Sequence, residues 1–144
     1  MALYQNVLLA VDLHPEYDEP TISHAVTLAK ALAAKLHIIN VVEEVHAYGA
    51  TQGYEVIIDV ERKIEEQATE ALYEIGMKYN IPESQQIIAK GPPEQVVLAY
   101  AQKLNVDLIV VGSHARHGLS LLFGSTADGI VHHAHCDVLA VKAK

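Results

Sequence analysis

One stretch constrains this chain more than any other: residues 108–141 read L-I-V-V-G-S-H-A-R-H-G-L-S-L-L-F-G-S-T-A-D-G-I-V-H-H-A-H-C-D-V-L-A-V. A β-branched apolar run stops abruptly at Gly112-Ser113. A loop carrying His114, Arg116, His117 and Gly118 follows, and Gly124-Ser125-Thr126 opens a helical pattern that leads to a last apolar run. Glycine lets backbone N–H groups approach an anion with no Cβ in the way, and a helix N-terminus offers unpaired donors at the positive end of its dipole. The stretch therefore predicts a strand, a phosphate-accepting loop, a helix and a strand.

The preceding residues repeat that alternation. Residues 7–11 are a continuous apolar run stopped by Asp12, and residues 36–42 form a second run followed by Glu43 and Glu44. Continuous apolar runs of this length suit strands covered on both faces. Between them Ile22, Ala25, Val26, Ala29, Leu32 and Ala33 fall on one helical face, and Pro20 is tolerated in a first turn. Residues 45–54 lose the pattern. A second helical stripe then runs through Val60, Ile64, Ala68, Ala71, Leu72, Ile75 and Tyr79, with Glu61, Arg62, Lys63, Glu65 and Glu66 on its solvated side. Asn80-Ile81-Pro82 breaks it, and residues 85–90 make a shorter, more polar strand suited to a sheet edge. Gly91-Pro92-Pro93-Glu94 turns into a third helix with Val96, Val97, Tyr100, Ala101 and Leu104 inward, ended by Asn105. Such βα alternation predicts an α/β fold, a doubly wound open parallel sheet of five strands in the order 3-2-1-4-5. Strands one and four then adjoin, which brings Asp12 and the loop after Val111 to one crevice.

At 144 residues and 51% hydrophobic content the chain suits one domain, spanning residues 1–144. Its net charge of −8 leaves no basic stripe to displace counterions from a nucleic acid backbone, so no nucleic-acid partner is expected. One cysteine, Cys136, excludes an internal disulfide framework, and neither a signal peptide nor a membrane-length apolar run is visible. The reading is a cytoplasmic protein with no membrane partner.

The residues also resemble a known family across essentially the whole chain. The opening N-V-L-L-A-V-D, the second strand I-I-N-V-V, the helix start G-P-P-E-Q-V-V, the block D-L-I-V-V-G-S-H-A-R-H-G, the G-S-T-A segment and the close C-D-V-L-A-V are together similar to the universal stress proteins. That resemblance implies an adenine nucleotide α-hydrolase-like fold that dimerises, commonly through the last strand. It also implies one of two styles, an ATP-binding regulator with at most slow hydrolysis or a member that binds no nucleotide.

The nucleotide-binding style resembles a loop written Gly-x2-Gly-x9-Gly-(Ser/Thr). Gly112 and Gly124-Ser125 match its ends, whereas Ala115 replaces the second glycine and the spacer is one residue shorter. If position 115 needs positive φ, alanine there costs on the order of 1 kcal/mol, which weakens binding several-fold without abolishing it; Gly118 restores flexibility nearby. Position by position, the resemblance implies Ala10, Asp12 and Val41 around the adenosine and Gly112, His114, Ala115, Gly124, Ser125 and Thr126 around the ribose and phosphates of ATP, with or without Mg2+. Arg116 is the loop's fixed cation and suits an outer phosphate. Against this, Ser125-x-x-Asp128 also reads as a capping box that would satisfy the helix N-terminus internally.

Two rival readings use other features. In one, the crevice is empty and a dimeric stress protein acts through contacts with an unidentified protein partner. In the other, His132, His133, His135 and Cys136 hold a metal, although ligands so close on one helix-to-strand junction do not easily close a tetrahedron. Catalysis has less support: Ser113-His114 and Ser125 have no orienting acid, and neither a Walker pattern nor G-x-G-x-x-G occurs. The last apolar run, Asp137–Val141, predicts a homodimer, because two-fold self-pairing satisfies an edge strand's backbone groups.

Overall fold

Strands and helices alternate in the order β1 (Asn6–Ala10), α1 (Glu19–Ala31), β2 (Lys35–Val42), α2 (Tyr54–Tyr79), β3 (Gln86–Lys90), α3 (Pro93–Lys103), β4 (Leu108–Gly112), α4 (Ser125–His133) and β5 (Asp137–Val141). This is a computed structural model, and it describes residues 3–13, 19–42, 54–112 and 125–142. All strand pairs are parallel and lie in the order β3-β2-β1-β4-β5, as the apolar pattern predicts.

Alternation along each strand divides the core into two layers. Val7, Leu9, Leu36, Ile38, Leu108 and Val110 pack with Ile22, Ala25 and Val26 of α1 and with Leu72 and Ile75 of α2. Leu8, Ile39, Ile109 and Val111 point the other way, toward Val97 and Ala101 of α3 and Ala127 and Ile130 of α4. Val7, Leu8 and Leu9 have no exposed surface at all, so β1 is the centre of both layers. Burying one such side chain contributes about 2 kcal/mol. That exceeds what an exposed ion pair such as Arg62–Asp59, 3.9 Å apart, can add.

This layering positions the crevice. Right-handed crossovers carry the chain from β1 over one face by α1, and from β4 over the other face by α4. The two connections diverge where β1 and β4 lie side by side, which is the place in an open parallel sheet where ligand crevices form.

Three helix ends differ from or refine the sequence reading. α1 stops at Ala31, so Leu32 and Ala33 do not extend its face. Ala33 turns left-handed at φ 54°, and the amide of Ala34 closes on the carbonyl of Ala29 at 2.8 Å. The same closure ends α2 at Asn80 (φ 60°, Ile81 N–H to Gly76 C=O 2.8 Å) and α3 at Asn105 (φ 54°, Val106 N–H to Ala101 C=O 2.8 Å). Asparagine tolerates this conformation and is a readable signal; alanine is not.

α2 begins at Tyr54, earlier than its stripe predicts. Gly76 lies against Gln86 at the start of β3, and Glu61 reaches Lys90 at its end, 3.1 Å away. Residues 54–60 therefore project past the sheet's carboxyl edge, where Val56, Ile58 and Val60 are exposed. Gln85, expected in the third strand, belongs instead to a short 3-10 turn, Glu83–Gln85.

Candidate functional site

The carboxyl edge of the sheet collects the candidate residues that are described. β1 and β4 pair from Val7↔Leu108 to Leu9↔Val110, and continuing that register sets Ala10 beside Val111 and Val11 beside Gly112. Ala10 and Val41 both belong to the layer under α3 and α4. Ala10, Asp12, Val41, Gly112 and Thr126 are all half-buried, a level of exposure that suits walls of a cleft.

α4 begins at Ser125-Thr126 and is held by Ala127 and Ile130, both buried in that same layer. Its orientation follows from the topology: a helix joining β4 to the parallel β5 starts at the carboxyl edge. The amides of its first turn, which have no partner within the helix, therefore lie at the end of the sheet where Gly112 leaves it. His114, Ala115, Arg116, Gly118 and Gly124 lie outside the described residues.

Asn40 is a residue the sequence reading passed over. Its side-chain amide donates to the carbonyl of Val11 at 2.8 Å, while the Val11 amide donates to Ile39 C=O at 2.8 Å. Together they pin the chain just before Asp12. The signal was present as the lone polar residue of I-I-N-V-V, but its partner is visible only in three dimensions.

The other wall is fixed at Gly91. Its amide donates to Val42 C=O at 3.2 Å, and its φ of +133° is a conformation that side chains rarely adopt. Pro92 and Pro93 then start α3 with no side-chain cap.

The histidine cluster disperses. His132 Nε2 lies 3.4 Å from Asp128 Oδ1 on its own helix, and His133 Nδ1 lies 3.0 Å from Glu94 Oε2 on α3. Asp128 thus reaches the next turn of α4; the Ser125 side chain, the other half of the capping box read from the sequence, lies outside the described residues. His135 is exposed, whereas Cys136 is half-buried against the α3/α4 layer, where burial, then Asp137 and Asp107, pushes its thiol pKa up. A protonated thiol is a poor metal ligand. Among the described residues no three His, Cys, Asp or Glu side chains are grouped to hold a metal ion.

Comparison with known proteins decides the family. The model of the universal stress protein family matches residues 3–142. This chain belongs to the universal stress protein family. Universal stress protein A homolog 2 of Coxiella burnetii is 41% identical over 141 residues, covering 98% of this chain and 97% of that protein. Among solved structures, the universal stress protein UspA from Lactobacillus plantarum superposes with a TM-score of 0.79 at 24% identity, covering 98% of this chain and 99% of that one. Two more distant structures share the fold. One is a universal stress protein in complex with cAMP (TM-score 0.59, 21% identity, 98% of each chain). The other is an Arabidopsis thaliana family protein with AMP bound (TM-score 0.64, 16% identity, 97% and 92%). Among the described residues of this universal stress protein, no helix is long and apolar enough to cross a membrane.

Proposed function

We propose that this universal stress protein binds ATP, with Mg2+, in the crevice between β1 and β4 and acts as a cytoplasmic, nucleotide-dependent regulator. One observation carries the reading: the topology sets Ala10, Val41, Gly112 and the first turn of α4 at one edge of the sheet, with half-buried residues on one side and the positive end of a helix on the other. Ala10, Asp12 and Val41 face the adenosine. Gly112, His114, Ala115, Arg116, Gly118, Gly124, Ser125 and Thr126 surround the ribose and phosphates, Arg116 supplying charge to an outer phosphate. The cAMP and AMP complexes of the same fold support an adenine nucleotide as ligand.

The protein works as a homodimer paired through β5, an edge strand whose apolar residues are only half-buried except Val141. Nucleotide binding alters the surface near that contact, which a protein partner reads. No step of ATP hydrolysis is assigned to these residues.

Calorimetric titration with ATP and Mg2+, run beside AMP and cAMP, tests the ligand. The wild-type chain binds and Gly124→Val does not. Absence of binding by the wild type rejects the nucleotide reading and leaves a dimeric scaffold acting through protein contacts. Light scattering at micromolar concentration tests the assembly, and a clean monomer rejects it.

A further inference from the structure

The contact between α3 and α4 is built around one carboxylate. Gly91 fastens the start of α3 to the end of β2, and Pro92-Pro93 fixes the next two φ angles, so Glu94 is presented in a stiff first turn. A Glu in that position ordinarily extends into water toward the helix dipole. Glu94 instead lies across α4, its side chain only 34% exposed.

Two observations on α4 match it. A Cβ at Gly129 would overlap the Oε1 and Cδ atoms of Glu94 and stand 3.1 Å from its Cγ, so the carboxylate occupies the space any other residue type would fill. Glycine in the interior of a nine-residue helix lowers its stability, and the notch it makes is the compensating gain. One turn later His133 Nδ1 meets Glu94 Oε2 at 3.0 Å. The carboxylate is thus keyed into α4 at one point and tied to it at a second.

We infer that Glu94 is a positioning residue that sets α4 against the β2 side of the crevice. Through Gly91 it is joined to Val42 and hence to Val41; through Gly129 and His133 it is joined to the helix that begins at Ser125-Thr126. It spans the two walls between which a nucleotide sits, and in what it says about nucleotide affinity it rests on the reading proposed above. Glu94 itself touches no ligand.

Two measurements test this. Residual dipolar couplings on the nucleotide-free protein read the orientation of α4 against the sheet. Glu94→Ala changes that orientation and Glu94→Gln, which keeps the length and an acceptor for His133, does not. An unchanged orientation in Glu94→Ala overturns the inference whether or not ATP binds; a changed orientation in a chain that binds no ATP supports it and rejects the nucleotide reading alone. Calorimetry then reads the consequence. Losing a hydrogen bond to a charged group weakens ATP binding about tenfold in Glu94→Ala, while Glu94→Gln stays near wild type. Adding Gly129→Ala to Glu94→Ala fills the notch and raises the melting temperature without restoring affinity. Recovery of affinity together with stability would mean that Glu94 only holds the fold together, and would overturn the inference.

Discussion

The two ends of the sheet are built differently. At the amino edge several side chains tie the strand starts together, mostly through the backbone. The Asp107 carboxylate accepts from the amides of Gln5 and Asn6 at 2.9 and 3.0 Å, and the Asn6 side chain donates to Asn105 C=O at 3.3 Å. Gln86 donates to Ile81 C=O at 2.9 Å, Gln85 to Leu36 C=O, and Tyr4 to Asp137 at 2.7 Å. At the carboxyl edge Asn40 donates to the Val11 carbonyl, Gly91 to the Val42 carbonyl, and Lys90 pairs with Glu61 at 3.1 Å, while Ala10, Asp12, Val41 and Gly112 stay half-buried. Polar groups at the first edge tie the strand starts together, and the proposed function puts binding at the second, so the proposal assigns stability and binding to opposite ends of the same strands.

The sharpest way to break that division is Asp107→Ala. It removes a charged acceptor from two amides, that of Asn6 partly buried and that of Gln5 exposed, and should lower stability by about 2 kcal/mol, read from urea unfolding, with ATP affinity unchanged. An affinity loss in the folded fraction would show that the two edges are not independent. Asn40→Ala is its counterpart at the other edge. It should cost about 1 kcal/mol of stability yet weaken ATP binding several-fold, because Val11 and the Asp12 that follows lose their brace. Equal effects of the two substitutions on affinity would erase the distinction.

The smallest effect concerns pH. His37, in the amino half of β2, is buried with its Nδ1 unpartnered. Burial, and then the positive charge of Lys35, lowers its pKa from the ordinary 6.5. Between that lowered value and 6.5 the unfolded chain binds the proton and the folded one does not, so stability falls as pH drops through this window. Above 6.5 the contribution is fully present. Melting temperatures followed from neutral to mildly acid pH should decline more steeply for the wild type than for His37→Leu; parallel curves would remove His37 from the account.

Much of this was legible in one dimension because the covered strands write themselves as unbroken apolar runs. Residues 7–11, 36–42 and 108–111 could be placed, and with them the order of the strands. The polar composition of β3 marked a sheet edge for the same reason. The start of α2 was not legible, since Val56 and Ile58 face no sheet and fall outside the stripe, and Val60 and Ile64, read from that stripe as inward, are exposed because the helix there runs past the sheet. The end of α1 was hidden because Ala33 takes a left-handed turn with no residue type to announce it. At the candidate site, Asp12 and Gly112 mark where apolar runs stop, whereas Ala10 and Val41 came only from the family resemblance. The roles of Asn40 and Glu94 did not, because Val11, Gly129 and His133 are their neighbours only after folding.

The central claim is that the open edge receives the nucleotide. Amide chemical shifts of isotope-labelled protein, titrated with ATP and Mg2+, test it most directly. The account predicts the largest changes at Val41, Gly112, Ser125 and Thr126, with Gln5, Asn6 and Asp107 unmoved. Saturating ATP that moves no resonance, or that moves chiefly those three at the amino edge, would contradict it.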